Sequence, residues 1–141
     1  FTLEGTVLKA LPTRDSFLPA LAVLGVAAQS GHSLSSLTKA FSLPIALSDR
    51  VENFATERSA SLMACIRQSR DNLTAFLAPI GTVAAVSDID GLRVTLDDGR
   101  VIHFRPSGNA PEMRCYVEAK SHLEAESLLK SGLDLIGGWA G

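Results

Sequence analysis

The second half of the chain alternates apolar and polar positions with the period of β-strands. Residues 92–96 alternate in this way, and residues 101–105 do so again after an Asp-Asp-Gly turn sequence. A three-residue loop with Gly99 left-handed places Leu92 opposite Phe104 and keeps one face apolar, whereas a two-residue turn would set apolar side chains against charged ones. The pattern therefore predicts an antiparallel hairpin with one buried face.

Further strands and helices surround this hairpin. Before it, we expect a strand at 48–54, a helix capped by Thr56 and a short helical turn from Asp71. After it, residues 113–119 alternate again, and Ser121-x-x-Glu124 has the pattern of a capping box. The helix that this box opens has an apolar stripe formed by Ala125, Leu128, Leu129, Leu133 and Ile136. Together these elements predict an α+β fold, an antiparallel sheet with helices on one face.

The first part of the chain has a different pattern. Residues 16–29 are apolar on almost every side, so we expect a buried helix that ends at Gly31 and is covered by protein outside this segment. A shorter helix follows and is broken at Pro44. The change of pattern places a domain boundary there, with residues 1–43 on one side and 44–141 on the other.

The amino-acid composition limits the kinds of protein that this chain can be, but it does not indicate a function. The chain has 141 residues, of which 46% are hydrophobic and 20% charged, as in a soluble globular protein. A net charge of −2 gives no reason to expect nucleic acid or a membrane as partner, and no apolar run reaches the ~20 residues that cross a bilayer. Cys65 and Cys115 lack metal-site spacing, so we expect reduced core cysteines and a cytoplasmic protein.

One loop carries residues suited to binding an anion. It has the sequence RPSGNAPEMR, from Arg105 to Arg114, and its two arginines offer planar donor forks for phosphate oxygens. Ser107 and Asn109 add neutral donors. Gly108 permits a positive φ, at which consecutive backbone N–H groups converge on one oxyanion. The alternative is a long polar connection between strands whose arginines are solvated or paired with surface acids.

We interpret the other notable polar residues as structural and not as catalytic or metal-binding. The Asp88-Ile-Asp-Gly91 segment lacks the remaining ligands of a calcium or magnesium loop and is read as a turn. His103 is read as an exposed strand residue on the polar face. Ser107 has no neighbouring base to activate it as a nucleophile, so it is read as a donor. Arg14-Asp15 is read as a helix start, not as part of a binding cleft.

Residues 105–119, RPSGNAPEMRCYVEA, resemble the phosphate-binding loop of the α-D-phosphohexomutase superfamily, which includes phosphomannomutase, phosphoglucomutase and phosphoglucosamine mutase. Residues 11–21, LPTRDSFLPAL, resemble the last long helix of the third domain in bacterial phosphomannomutases. The likeness covers essentially the whole chain. It implies that 1–43 are the C-terminal remnant of the third domain and that 44–141 are the fourth, phosphate-binding domain, of TATA-binding-protein-like fold.

The resemblance also implies a function. The intact enzyme would interconvert hexose 6-phosphate and hexose 1-phosphate through a phosphoserine and a bisphosphorylated sugar, with Mg2+ and hexose 1,6-bisphosphate as cofactors. This part would bind the phosphate that is not transferred, and the resemblance assigns that contact to Arg105, Ser107, Gly108, Asn109 and Arg114. The family's phosphoserine, magnesium and sugar-reading loops would precede Phe1. The fragment is therefore expected to contain no catalytic residue or metal ligand and to be inactive alone.

Several alternatives remain open at this stage. Asn109 stands where many relatives have threonine, which leaves a phosphoglucosamine or phosphoglucose mutase subclass possible. A non-catalytic module that binds a phosphorylated ligand, or a structural domain without a ligand, would also fit the residues. The partners implied by the resemblance are a phosphosugar substrate and the remaining domains of the same enzyme.

Overall fold

The computed structural model describes residues 2–3, 6–7 and 16–140 of the chain. Arg14-Asp15, read above as a helix start, lies outside these residues. The chain divides into two compact units, Phe1–Leu43 and Pro44–Gly141, and each is described by itself.

The first unit contains two very short strands and two helices. Its elements are β1 (Thr2–Leu3), which pairs antiparallel with β2 (Thr6–Val7), α1 (Phe17–Ser30) and α2 (Leu34–Ala40). Helix α1 ends at Gly31, as predicted, with φ 67°. No residue of α1 is buried, and Leu21 is 63% exposed. The described residues therefore do not supply the cover that so apolar a helix was expected to have.

Neither helix of the first unit is long and apolar enough to cross a membrane by itself, and the same holds for every other helix in the described ranges. Helices α1 and α2 pass such a test of length and composition only as a pair, and the pair is bent by 95°.

The second unit is an α+β layer pair, as the sequence predicted. Its elements are β3 (Ile45–Glu52), α3 (Thr56–Gln68), α4 (Arg70–Leu77), β4 (Val83–Ser87), β5 (Leu92–Leu96), β6 (Val101–Pro106), β7 (Glu112–Ala119) and α5 (His122–Gly138). The strands form one antiparallel sheet in the order β3-β7-β6-β5-β4. Helices α3 and α5 contact the central strands, and α4 packs beside α3. The opposite face of the sheet is polar and open.

The predicted hairpin register is confirmed. Leu92 lies opposite Phe104, and Gly99 has φ 87° in the loop, where its N–H donates to the carbonyl of Leu96. Strand β7 alternates between buried and half-buried residues along its whole length. Its inward side chains join the core, whose largest fully buried members are Phe54, Phe104, Leu62, Ile66, Leu77, Leu96, Ile102, Met113, Leu128, Ile136, Val94 and Val117. Burial also raises the pKa of the Cys115 thiol to about 12, which makes it an inert core residue.

Three predicted element boundaries were displaced. Strand β3 begins at Ile45, not at residue 48, because it pairs with β7 from Ile45 onward. Helix α3 has Ala55 before its first residue, so Thr56 lies inside the helix and does not cap it. The cap of α4 is Ser69, whose hydroxyl accepts the N–H of Asn72, so Asp71 falls within the first turn.

The capping box of α5 is present in a shifted form. The hydroxyl of Ser121 accepts the Glu124 N–H at 3.3 Å, as predicted. The Glu124 carboxylate returns to the N–H of Lys120 at 3.2 Å, one residue before the cap itself. The predicted stripe faces the core: Ala125, Leu128 and Ile136 are buried, while Leu129 and Leu133 are partly buried against it.

Helix α5 approaches the sheet most closely at Gly132. A Cβ at this position would lie 2.7 Å from Cys115 Sγ and 2.8 Å from Ile102 Cδ1. We therefore expect Gly132→Ala to lower the free energy of unfolding by about 1–3 kcal/mol, the usual effect of overpacking a filled core. Urea denaturation of the 141-residue chain measures this change.

Gly137→Ala is the matched control, because a Cβ at Gly137 in the same helix meets no atom within 4 Å. It should leave the chain as stable as wild type or stabilise it by about 0.5–1 kcal/mol through its effect on helix propensity. Equal urea midpoints for the two variants would show that the close approach at Gly132 is not a constraint.

Candidate functional site

Three arginines lie in one row across the polar face of the sheet. Arg114 on β7 is directly opposite Arg105 on β6 and directly opposite Arg50 on β3. Adjacent strands are about 4.8 Å apart, so three positive side chains emerge close together. The row lies next to the loop that joins β6 to β7. Like charges opposite one another are unfavourable, so this arrangement requires anionic groups nearby.

Glu112, at the start of β7, offsets two of these arginines. Its Oε1 accepts from Arg114 Nη2 at 2.7 Å and from Arg114 Nε at 2.9 Å, and its Oε2 is 3.1 Å from Arg50 Nε. The Glu112 side chain is 13% exposed, so the pairs are partly shielded from solvent. The hydrogen bond from Arg114 keeps the pKa of Glu112 below its usual value, and Glu112 raises the pKa of Arg114 in return. The bridge is therefore fully charged at neutral pH.

Arg105 is held differently from its two neighbours. Its Nε forms an ion pair with Asp90 Oδ1 at 3.0 Å, and its side chain remains 41% exposed. Within the described ranges, its two terminal nitrogens donate no hydrogen bond to the protein. Arg105 thus presents an accessible donor fork beside the loop.

Hydrogen bonds between residues that are close in the sequence close the loop. The Ser107 N–H donates to the Glu112 carbonyl at 3.1 Å, and the Glu112 N–H donates to the Ala110 carbonyl at 2.8 Å. Ser107 is only 8% exposed, and its hydroxyl accepts from the Asn109 N–H and from Arg114 Nη2, each at 3.4 Å. Ser107 therefore ties the loop to the arginine row.

Gly108 does not adopt the positive φ that a glycine permits. The glycines with positive φ in the described ranges are Gly31, Gly91 and Gly99. A Cβ built on Gly108 would meet no atom within 4 Å, so the space beside this residue is open.

The structure brings the predicted loop residues together and adds others that the sequence did not indicate. Arg105 lies opposite Arg114 in the sheet, and Arg114 is directed to Glu112 and to Ser107. Arg50, missed by sequence reasoning, lines an open groove of about 240 Å³ together with Ser48, Asp49, Arg114 and Tyr116. Only the long-range pairing of β3 with β7 places Arg50 here.

The resemblance implies magnesium in the intact enzyme. The described ranges contain no group of three or more His, Cys, Asp or Glu residues that could hold a metal ion. In the turn between β4 and β5, Asp88 is paired with Arg67 and Asp90 with Arg105. This part of the protein does not fit a magnesium site, so no metal step is assigned to it.

An open antiparallel sheet, with helices on one face and a basic row beside a polar loop on the other, defines the class of this domain. Residues 50–132 match the family model "Phosphoglucomutase/phosphomannomutase, C-terminal domain". The chain belongs to this family, and its resemblance to the phosphohexomutase superfamily is confirmed.

Curated relatives agree with this assignment. The chain is 46% identical to a phosphomannomutase of Sinorhizobium fredii over 96% of this chain and 29% of the relative. It is 36% identical to a phosphomannomutase of Salmonella muenchen over 92% of this chain and 27% of the relative. A phosphoglucosamine mutase of Methanococcus aeolicus is 49% identical over 38% of this chain and 12% of its own length. The chain thus spans less than a third of the phosphomannomutases it matches.

Alanine substitutions at the two glycines near the site should affect the stability of the chain to very different degrees. Gly91 has φ 78°, and a Cβ there would lie 2.5 Å from the Phe104 carbonyl oxygen, so Gly91→Ala should destabilise the chain by about 1–3 kcal/mol. Gly108→Ala should remain within about 0.5 kcal/mol of wild type, because nothing surrounds its Cβ. Thermal unfolding of both variants checks the contrast. A large loss at Gly108 would mean that the space beside it is filled in the folded chain.

Proposed function

We propose that this chain is the C-terminal part of a phosphomannomutase-like enzyme that interconverts hexose 6-phosphate and hexose 1-phosphate through a phosphoserine and a bisphosphorylated sugar. In this proposal, the loop at 106–111 and the arginine row bind the phosphate that is not being transferred. The observation that carries the proposal is the accessible fork of Arg105, on the strand that leads into a loop with open space at Gly108.

Each residue of the loop has a physical role in this proposal. Arg105 would bind two phosphate oxygens in a bidentate, charge-assisted contact. Asn109 and the backbone N–H groups near Gly108 would donate to the remaining oxygens. Ser107 and Arg114 would support the loop from beneath, since both are already bonded to one another and to the Glu112 residue. Arg50 would add positive charge at the far end of the row.

Binding the phosphate remote from the reaction has a catalytic purpose. It fixes the sugar so that the reacting oxygen is oriented toward the phosphoserine, which converts binding energy into positioning. Because the bisphosphorylated intermediate must present each end in turn, the site has to accept a phosphate on carbon 1 or on carbon 6. A cradle of arginine and small polar residues suits this task because it recognises the phosphate and not the sugar attached to it.

Magnesium and hexose 1,6-bisphosphate belong to the proposal for the whole enzyme. The described residues provide no ligand group for a metal, so this part would contribute phosphate binding alone. The proposed partners are a phosphosugar and the other domains of the same enzyme, and the proposed location is the cytoplasm.

The extent of the matches favours a phosphomannomutase over a phosphoglucosamine mutase. The two phosphomannomutase relatives align with 96% and 92% of this chain, and the alignments therefore include the first unit. The phosphoglucosamine mutase of Methanococcus aeolicus aligns with 38% of it. We propose that residues 1–43 are the remnant of the preceding domain in such an enzyme and that 44–141 are its last domain.

The role of Arg105 can be tested in the whole enzyme. Arg105→Ala removes a charge-assisted contact worth roughly 1.5–3 kcal/mol, so kcat/KM should fall about ten- to a hundredfold. The loss should be similar with mannose 1-phosphate and mannose 6-phosphate. Arg105→Lys should recover only part of it, because a point charge cannot replace the fork.

Arg93→Ala provides the matched control. Arg93 lies on the same polar face but is paired with Glu118 at 3.1 Å, away from the loop. It should leave kcat/KM within about twofold, as expected for an exposed ion pair. The proposal fails if Arg105→Ala leaves both substrates unaffected in a folded enzyme.

The 141-residue chain should bind a phosphosugar without converting it. We expect mannose 6-phosphate, but not mannose, to shift the backbone amide signals of residues 105–114 in NMR titrations, and Gly108→Ala to weaken binding at unchanged stability. The chain should show no turnover with Mg2+ and a hexose bisphosphate. Turnover in a preparation free of host mutase would contradict the division of roles. Binding combined with an inactive whole protein would identify a non-catalytic module instead.

A further inference from the structure

The turn between β4 and β5 is attached to the candidate site by several side chains. Sequence reasoning treated Asp88–Gly91 as a simple connection. In the structure, Asp90 forms the ion pair with Arg105, and the ring Nε2 of His103 lies 2.5 Å from the Asp90 carbonyl oxygen. Arg67 donates to the Asp88 carboxylate and, at 3.2 Å, to the Gly91 carbonyl. These contacts hold the turn from two elements, α3 and β6.

Gly91 fixes the path of the backbone at the same point. Its φ of 78° is in the left-handed region, and any Cβ there would strike the Phe104 carbonyl. The turn therefore runs directly against β6 immediately beside Arg105. Asp90 is carried on a segment whose position is set by the backbone, by Arg67 and by His103.

We propose that Asp90 is a positioning residue that orients the Arg105 guanidinium for a phosphate. This inference rests on the proposed function of the loop. The closest contact of the ion pair is between Arg105 Nε and Asp90 Oδ1, at 3.0 Å. The terminal nitrogens of Arg105 donate no hydrogen bond within the described ranges, so they stay available to a ligand.

The charge distribution gives the positioning a physical reason. Arg105 stands opposite Arg114, and without a partner it would be repelled toward solvent. Glu112 bridges Arg114 and Arg50, and within the described ranges Arg105 has its ion pair with Asp90 alone. A long arginine side chain loses considerable rotamer freedom on binding. Holding its head group in advance lowers the ordering that a ligand must impose.

The direction in which phosphate affinity changes when Asp90 is removed distinguishes positioning from simple electrostatics. A carboxylate near a phosphate repels it, so removing Asp90 should strengthen anion binding if only net charge mattered. If Asp90 instead competes with phosphate for Arg105, its removal should also strengthen binding. Positioning predicts the opposite result, a loss of affinity when a negative charge is removed.

The experiment measures binding of inorganic phosphate to the 141-residue chain by NMR titration. Asp90→Ala should weaken binding about three- to tenfold, which is at the lower end of the coupling found between contacting residues. Asp90→Asn should weaken it less, because the amide oxygen keeps the shape and polarity of the carboxylate. In an Arg105→Ala background, Asp90→Ala should have no further effect. The side-chain Nε–H signal of Arg105 should shift in Asp90→Ala before any phosphate is added.

Asp88→Ala is the matched control for disturbance of the turn. It breaks the ion pair to Arg67 in the same four-residue segment and leaves Asp90, the ion-pair partner of Arg105, unchanged. Phosphate affinity should be unchanged. An equal loss in Asp88→Ala and Asp90→Ala would overturn the inference, since the shape of the turn and not the ion pair would then matter.

The remaining outcomes distinguish this inference from the proposed function. Unchanged or tighter binding in Asp90→Ala, with clear loss in Arg105→Ala, would overturn the positioning role and leave the phosphate site intact. Failure of the wild-type chain to bind phosphate, with no change in Arg105→Ala, would overturn both.

Discussion

The candidate site depends on the pairing of β7 with both β6 and β3, which sets three arginines side by side. This register is enforced from the other face of the sheet, where Met113, Cys115 and Val117 enter the core. A shift by one residue would exchange the buried and polar faces of β7 completely. Hydrophobic packing on the buried face therefore keeps the three arginines close together despite their mutual repulsion. Carboxylates offset that repulsion locally, and they leave one guanidinium accessible.

Much of the second unit follows from local pattern in the sequence. The register of the β5–β6 hairpin, the alternation of β7 and the stripe of α5 all arise from residues close together in the chain, where periodicity is informative. Boundaries were less predictable for equally local reasons. Thr56 and Asp71 both have side chains suited to capping, but Thr56 lies inside α3, and Ser69 caps α4 by accepting the Asn72 N–H.

The site was only half predictable because half of it comes from elsewhere in the chain. Arg105 and Arg114 are nine positions apart in a polar loop, so the sequence displays them together. Arg50 reaches them only through an edge strand that pairs across more than sixty positions, and Asp90 through a turn that crosses β6. No local pattern records such contacts. The presence of Gly108 in the loop permitted a positive φ without showing whether the chain adopts it, and the structure shows that it does not.

The proposed function asks this part of the protein to bind a phosphate while the reaction takes place elsewhere, and the arrangement of the arginine row suits that role. Arg114 and Glu112 face each other across short bonds and hold Ser107, so they form a rigid base beneath the loop. Arg105 lies opposite Arg114. Its Nε is paired with Asp90, and its terminal nitrogens are accessible. Without a ligand, nearby carboxylates offset most of the positive charge of the arginines. The donor fork of Arg105 remains accessible to an anion. Arg114, which lies opposite Arg105, also lines the open groove that contains Arg50. In the proposed enzyme, a site that recognises only the phosphate leaves discrimination between the two ends of a bisphosphorylated hexose to the part that holds the reacting phosphate.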